Sequence, residues 1–297
     1  MIRDTDWKVL VDKIRRKQCT PFLGAGLSEP HVPLGSEFSE RLAREFGYPL
    51  TDVWNLPRVA QYVATNYRDS QFAKGQVADL ILACERQPPD FSSPSQPHRI
   101  LADLRLPMYL TTNYDRFMTR ALETVVSEVS TRVCRWNYET RLAEDALLPT
   151  PTADRPLVYH LHGVATNIAS MLLTEDDYVD FLMEAQADLA QVVPAPIQEA
   201  LGTTSLLFVG YSLNDWNFRV LMRSIMRKIN KSSKRMNISV QLPPADDSVA
   251  PDRRDEAEGF LCDYLGTEQV TVHWGDARGF LDELRRRWEA AREPQAV

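Results

Sequence analysis

Cys19-Thr20-Pro21-Phe22-Leu23-Gly24-Ala25-Gly26-Leu27-Ser28 is a brief apolar run that breaks into two glycines. A run this short, stopped by glycine, does not extend far enough for a buried helix, so Cys19 to Leu23 reads as a buried strand. Gly24 and Gly26 let the backbone turn sharply and approach another group closely, and a helix starting just beyond would turn free N–H groups toward a phosphate. Gly-Ala-Gly alone serves equally well as a tight strand-to-loop turn. Against the dinucleotide fingerprint G-x-G-x-x-G the third glycine is missing, because Glu29 stands in its place. No strand ending in an acidic residue follows about twenty positions on, as that fingerprint also requires.

The surrounding periodicity decides the fold class. Trp7, Leu10, Val11 and Ile14 fall at helical spacing behind the capping candidates Asp4 and Thr5, which predicts a helix over 6–18 feeding the first strand. Beyond the glycine turn, Ser36 is the expected cap of a helix through Phe46, with Gly47 as its stop. Helical patterns at 57–67 and 70–85 and a proline- and serine-rich loop at 88–97 leave no strand in that stretch. Strand-like runs then recur at 108–111, 129–136, 157–161, 206–209, 238–242 and 270–274. Between and after them come helical patterns at 117–126, 174–201, 215–229 and 280–291, and a loop at 243–251. Such alternation predicts an α/β, Rossmann-like, mostly parallel sheet with helices on both faces. The reading is one domain over 1–297, with helical insertions at about 48–97 and 174–202.

Composition narrows the function classes. The formal charge of −7 argues against wholesale nucleic-acid binding, and the basic run Arg219, Arg223, Arg227, Lys228, Lys231, Lys234 and Arg235 reads as a solvated helix face. The charged N-terminus lacks the apolar core of a signal peptide and no run reaches a membrane span, so a cytoplasmic location without membrane contact is expected. Cys19, Cys84, Cys134 and Cys262 lie far apart and form no C-x-x-C pair, so neither a zinc ribbon nor a disulfide framework is written here. His31, His98 and His273 stand isolated and receive no metal role.

Four strand ends carry polar or glycine residues in one chain direction: Gly24-Ala25-Gly26-Leu27-Ser28, Thr111-Thr112-Asn113-Tyr114-Asp115, His162-Gly163 and Gly210-Tyr211-Ser212. In an open parallel sheet these ends gather at one edge, where ligands bind. The ordered set resembles the sirtuin family of NAD-consuming enzymes. Their motifs run glycine-alanine-glycine with a serine, threonine-glutamine-asparagine-isoleucine-aspartate, histidine-glycine, then glycine-threonine-serine. There are departures. Thr112 stands for the glutamine, Tyr114 for the isoleucine, Leu34-Gly35 for the usual phenylalanine-arginine pair, and 164–202 holds no cysteine where the deacetylases carry a zinc module.

A zinc-free version with helices in that place looks like the sirtuin-like NAD hydrolases of bacterial anti-phage defence. The resemblance implies an NAD+ glycohydrolase that yields nicotinamide and ADP-ribose, needs no zinc and forms a homo-oligomer. It also implies activation by a partner such as a companion ATPase, an Argonaute-type protein, a second messenger or a phage-derived trigger; the helices at 48–97, which follow the glycine loop directly and stand where the fold would have a strand, are the candidate cover. A zinc-free protein deacylase or ADP-ribosyltransferase, and a non-catalytic module binding NAD or ADP-ribose, are the alternatives.

The same resemblance distributes roles among the residues. Gly24, Ala25, Gly26, Ser28, Thr112, Asp115, Gly210 and Ser212 would hold NAD+, while Asn113, His162 and Asp115 would act on it. Asn113 offers a neutral donor and acceptor to hold a water, His162 can take a proton, and Asp115 favours a positively charged transition state. Each has a second reading. Asn113 and Asp115 fit caps for the helix near Phe117, and His162 fits a hydrogen-bonded core histidine. His160 lies two residues away on the same strand face and leaves an exchange of roles open. Ser212 and Asp215 fit a helix start.

Overall fold

The computed structural model describes residues 2–143, 148, 150–211, 223, 236–242, 253–266 and 270–292. Ser212, Asp215, the helix expected at 215–229, the basic run apart from Arg223, and the loop at 243–251 lie outside the described residues. All seven expected strands are present: β1 (Cys19–Leu23), β2 (Met108–Thr111), β3 (Ser130–Val133), β4 (Leu157–His160), β5 (Ser205–Val209), β6 (Asn237–Gln241) and β7 (Val270–Trp274). They form one parallel sheet in the order β3-β4-β2-β1-β5-β6-β7.

The chain fills one side of β1 before crossing to the other for β5, so the strand order reverses at β1. Leu23 is level with Thr111 on one side and Val209 on the other, which brings Gly24, Thr112 and Gly210 out at the same height. Strands β1, β2, β4 and β5 are buried on both faces, which is why they read as continuous apolar runs.

One face is covered by α1 (Asp4–Arg15), α2 (Gly35–Phe46), α3 (Leu56–Tyr67), α4 (Ser70–Glu85), α5 (Pro97–Asp103), α6 (Phe117–Glu123) and the last helix, α12 (Ala277–Arg292). Their apolar stripes share a core with Leu23, Tyr109, Val158 and Leu207. The opposite face is covered by α8 (Glu175–Ala187), α9 (Leu189–Val192) and α10 (Ala195–Thr203), which pack Phe181, Val192 and Ile197 against Phe22, Leu110, Tyr159 and Phe208. The segments 48–97 and 174–202 thus contribute to opposite layers of the sandwich. They are tied together by a buried ion pair between Lys74 of α4 and Asp177 of α8 at 2.8 Å, with Arg58–Glu175 at 3.1 Å outside it.

Some boundaries differ for local reasons. Helix α1 stops at Arg15 because Lys17 turns into the left-handed region (φ 59°). Leu34, not Ser36, precedes α2, and its N–H donates to Glu37 Oε2 at 2.7 Å, so a first-turn glutamate does the capping. The helical stretch expected over 186–201 is broken at Asp188, whose carboxylate takes the Ala190 N–H, and at Pro194, which has no N–H to continue a helix. Helices α5, α7 (Tyr138–Ala143) and α11 (Arg254–Gly266) were not anticipated. Among the described residues, no helix is long and apolar enough to cross a membrane.

Candidate functional site

The loops after β1 and β5 are zipped together by backbone. Gly24 N–H donates to Val209 O at 2.9 Å and Gly26 N–H to Gly210 O at 3.0 Å. A Cβ on Gly24 would lie 2.6 Å from Gly210 O. Gly210 itself is left-handed (φ +79°), with space for a Cβ only 2.4 Å from Leu27 N. The close approach these glycines permit is therefore first of all to each other, and the N–H groups of Gly24 and Gly26 are committed inside the protein. Ala25, on the short 3-10 turn between them, faces solvent.

Strand β2 joins the same knot. Leu23 O accepts from Thr112 N–H (3.1 Å), Thr111 Oγ1 (3.1 Å) and the Tyr211 hydroxyl (2.9 Å). Because that hydroxyl donates to Leu23 O, its 2.8 Å contact with Thr112 Oγ1 has the threonine as donor. Thr112 thus ties the end of β2 to the β5 loop.

Asn113 is held from three sides. Its N–H donates to Thr111 Oγ1 at 3.0 Å, its Nδ2 donates to Gly24 O at 3.1 Å and to Ser28 Oγ at 3.2 Å, and its carbonyl accepts from His160 Nδ1 at 3.1 Å. The amide donors are taken, and no described residue donates to Oδ1. Ser28 Oγ passes its proton toward Asp115 Oδ2 at 2.9 Å, while Asp115 Oδ1 accepts the Phe117 N–H at 2.9 Å. The cap reading of Asp115 is thus realised together with its place in the network. Burial pushes the Asp115 carboxyl up to about 6, against the opposing hydrogen bonds from Phe117 and Ser28.

His98 joins this network from α5, a link that sequence reasoning missed. Gln96 caps α5 by accepting the Arg99 N–H through Oε1 at 3.0 Å, which turns its Nε2 toward His98 Nδ1 at 3.1 Å. That donor fixes the proton of a neutral His98 on Nε2, which faces Ser28 Oγ at 3.5 Å. Seventy residues separate His98 from Ser28, and the only local sign was the capping glutamine two positions earlier.

The two histidines after β4 diverge. His160 donates from Nδ1 to Asn113 O, leaving Nε2 as a buried acceptor with no partner among the described residues. His162 lies past the strand, edge-on to Tyr178 of α8 at 5.6 Å, and its Nε2 is likewise buried and unpartnered. Gly163 (φ +82°) permits the fold-back that follows, since a Cβ there would lie 2.2 Å from Ser170 O. Leu172 N–H then closes onto His162 O at 2.9 Å. Burial pushes His162 and His98 down to about 3 and His160 down to about 4, so all three are neutral near pH 7.

Among the described residues no group of three His, Cys, Asp or Glu could hold a metal ion, and the four cysteines are free. Burial pushes the Cys19 and Cys134 thiols up to about 12, so neither is a thiolate nucleophile.

Comparison with known proteins bears on this arrangement. The chain is 24% identical over 232 residues to the protein named NAD(+) hydrolase ThsA of Bacillus cereus (strain MSX-D12), covering 77% of this chain and 44% of that relative. It is 27% identical over 225 residues to the protein of the same name from Enterococcus faecium, covering 74% and 43%. The chain thus matches less than half the length of either relative. A solved structure described as "Structural Basis for the Mechanism and Regulation of Sir2 Enzymes" aligns over 99% of this chain and 100% of its own at 13% identity, with a TM-score of 0.42. Residues 107–264, more than half of the chain, match the model of the SIR2-like domain, and the protein belongs to that family.

Proposed function

We propose that this chain hydrolyses the nicotinamide–ribose bond of NAD+, as an effector of anti-phage defence that acts by depleting NAD+. One observation carries the reading: the loops after β1, β2, β4 and β5 lock Asn113, Ser28 and Asp115 into one buried network beside histidines whose Nε2 atoms have no partner among the described residues. A buried acceptor left without a donor costs about 1–3 kcal/mol. A water or a ribose hydroxyl entering this edge would satisfy it.

In the proposed reaction water adds to the anomeric carbon as the bond to nicotinamide breaks, giving ADP-ribose, nicotinamide and a proton. Asn113 Oδ1 accepts from the water and holds it on the sugar face. His162 Nε2 takes the proton, and its low basicity makes it a hydrogen-bond acceptor until the attacking water turns acidic in the transition state. Asp115, largely ionised above about pH 6, places a negative charge near the developing oxocarbenium ion. His160 positions Asn113 through its backbone. Ala25 and the Gly24, Gly26 and Gly210 backbone, with Ser212, frame the dinucleotide; Thr112 acts by holding two loops together.

The reaction is proposed to be zinc-independent and cytoplasmic, without nucleic-acid or membrane contact, in a homo-oligomer switched on by a partner. The α3–α4 layer would cover the site until that partner favours an open state. Purified protein incubated with NAD+ alone and assayed for nicotinamide tests the reading. Stoichiometric release supports it, and NAD+ consumed only in the presence of an acyl-lysine or acceptor protein would replace it with protein modification.

A further inference from the structure

A cleft of about 720 Å³ opens at the opposite edge of the sheet, where strands begin and helices α1, α5, α6 and α12 end. Five cations line it: Lys17, Arg99, Arg105, Arg285 and Arg292. They come from three distant parts of the chain, in a protein whose formal charge is −7. Two carboxylates, Asp103 and Glu289, also line it.

The cations are only partly neutralised. Arg99 is paired with Asp103 at 2.9 Å, Arg285 leans on Asp282 at 3.6 Å, and Arg105 on the exposed Asp154 at 3.5 Å. Lys17 reaches the Leu104 carbonyl at 3.0 Å, and Arg292 lies over the Trp288 ring at 5.9 Å; among the described residues neither has a carboxylate partner. Burial and then the charges of Arg105 and Arg292 hold the Lys17 ammonium below the usual lysine range, as expected for crowded like charges. In the cleft wall the Arg285 Nε and Trp288 Nε1 donors are buried with no acceptor among the described residues.

Helix dipoles account for part of this. Helix C-termini attract cations of this kind, and Asp103, Asp154 and Asp282 answer Arg99, Arg105 and Arg285, so Lys17 and Arg292 are the cations without a carboxylate partner among the described residues. Backbone conformation adds a second observation. Lys17 (φ 59°) and Arg105 (φ 47°) both occupy the left-handed region just past a helix end, where glycine is the least strained residue. Both positions instead carry long cations that face one cleft. Arg68 at the end of α3 is left-handed too (φ 53°), so the conformation belongs to helix termination, and what distinguishes Lys17 and Arg105 is that they converge on one cleft.

We propose that this cleft binds a compact, multiply charged phosphate group, as carried by inorganic oligophosphate or a nucleoside polyphosphate, at a site separate from the edge bearing Asn113 and His162. Its volume suits a nucleotide-sized ligand. Nucleic acid is disfavoured, because an extended polyanion meets the negative charge of the whole chain, whereas a small ligand sees chiefly the local cations within a Debye length.

Calorimetric titration of the full chain with tripolyphosphate at low salt, with ATP in parallel, tests this. Saturable binding is expected, weakened about tenfold or more by Arg292→Ala and by Arg105→Ala, and unchanged by Asn113→Ala or by Arg68→Ala, which removes a remote exposed cation. Tripolyphosphate binding as tightly as ATP assigns the site to phosphate alone, and tighter ATP binding assigns a nucleotide. Arg292 is exposed at a helix end, so its variant folds even where Arg105→Ala does not. No saturable binding, or equal affinity in Arg292→Ala and wild type, overturns the proposal, as does loss of binding in Asn113→Ala.

Discussion

At the end of β1, Gly24 and Gly26 give their N–H groups to the end of β5 and its loop, with Ser28, Asn113 and Asp115 buried beside them; where β1 and β2 begin, Lys17 and Arg105 stand in left-handed backbone and present their charges to a cleft. The unmet groups differ in kind as well. Among the described residues, the first edge leaves Nε2 of His160, an acceptor, and Nε2 of His162 without a partner, and the second leaves two donors, Nε of Arg285 and Nε1 of Trp288. A neutral network in a low-dielectric setting suits chemistry that must orient a water and stabilise a charge that exists only briefly. Surplus fixed cations suit holding an anion. One sheet thus presents two kinds of binding edge, and the first should respond to pH and the second to salt.

The largest expected effect falls at the first edge. Asn113→Ala and His162→Ala should each lower NAD+ cleavage by about a hundredfold or more, since general-base and positioning groups are worth about 10²–10⁴. Nicotinamide release under saturating NAD+, with circular dichroism to check the fold, measures this. Arg292→Ala should leave the rate of the basal reaction intact. Near-normal turnover in either first-edge variant removes that residue from the mechanism and dissolves the contrast between the edges.

Next in size is the glycine knot. Gly210→Ala puts a Cβ 2.4 Å from Leu27 N at a left-handed φ, so a loss of about 3 kcal/mol or more in urea unfolding is expected. Gly47 is also left-handed but meets nothing within 4 Å, so Gly47→Ala should cost only about 1 kcal/mol. Equal losses would mean that the β1 and β5 loops are not locked together as described.

The glycine knot also shows how far the sequence was legible. The strands β1, β2, β4 and β5 and their polar ends could be read because a run buried on both faces has a local signature, as in Phe22-Leu23-Gly24 or Leu207-Phe208-Val209-Gly210. What Gly24 touches could not be read, because its neighbour Gly210 is fixed by strand order and not by spacing. The link from His98 to Ser28 was hidden for the same reason. Thr112 was expected to face a ligand, yet its hydroxyl is turned to Tyr211, a partner visible only once β2 and β5 flank β1. Helix α7 is six residues long and α5 seven, too short to establish a periodicity.

Acid should find the first edge and spare the second. His98, His160 and His162 have folded values of about 3, 4 and 3 against an ordinary 6.5, so the stability they contribute is complete above pH 6.5 and is lost as pH falls below it. Asp115, raised to about 6 from 3.8, works the other way: ionising it costs stability as pH rises through 6, so stability is regained as pH falls toward 3.8. Three protons against one leave a net uptake of two on unfolding, or about 3 kcal/mol lost per pH unit between roughly pH 6 and pH 4. Urea midpoints at pH 7.5, 6 and 5 measure the slope, and His162→Gln should make it shallower. A flat profile would mean that these histidines are solvated.

The smallest effect separates ligand binding from decoration at the second edge. Glycine is the least strained residue at a left-handed position, so Lys17→Gly and Arg105→Gly should each raise stability by about 0.5–1 kcal/mol, less whatever their side-chain bonds to Leu104 O and Val125 O contribute. Arg68 supplies the control, because it is left-handed at φ 53°, exposed at the end of α3 and remote from the cleft lining. All three glycine variants relieve the same strain, and only two of them remove a cation from the cleft. Denaturant midpoints should therefore move upward together, while tripolyphosphate affinity falls for Lys17→Gly and Arg105→Gly and stays constant for Arg68→Gly. If Lys17→Gly and Arg105→Gly bind tripolyphosphate like wild type, the cations at the start of the sheet serve the helix ends alone. If they lose stability while Arg68→Gly gains it, the side-chain bonds to the two carbonyls outweigh the backbone strain, and those bonds rather than a ligand explain why glycine is absent there.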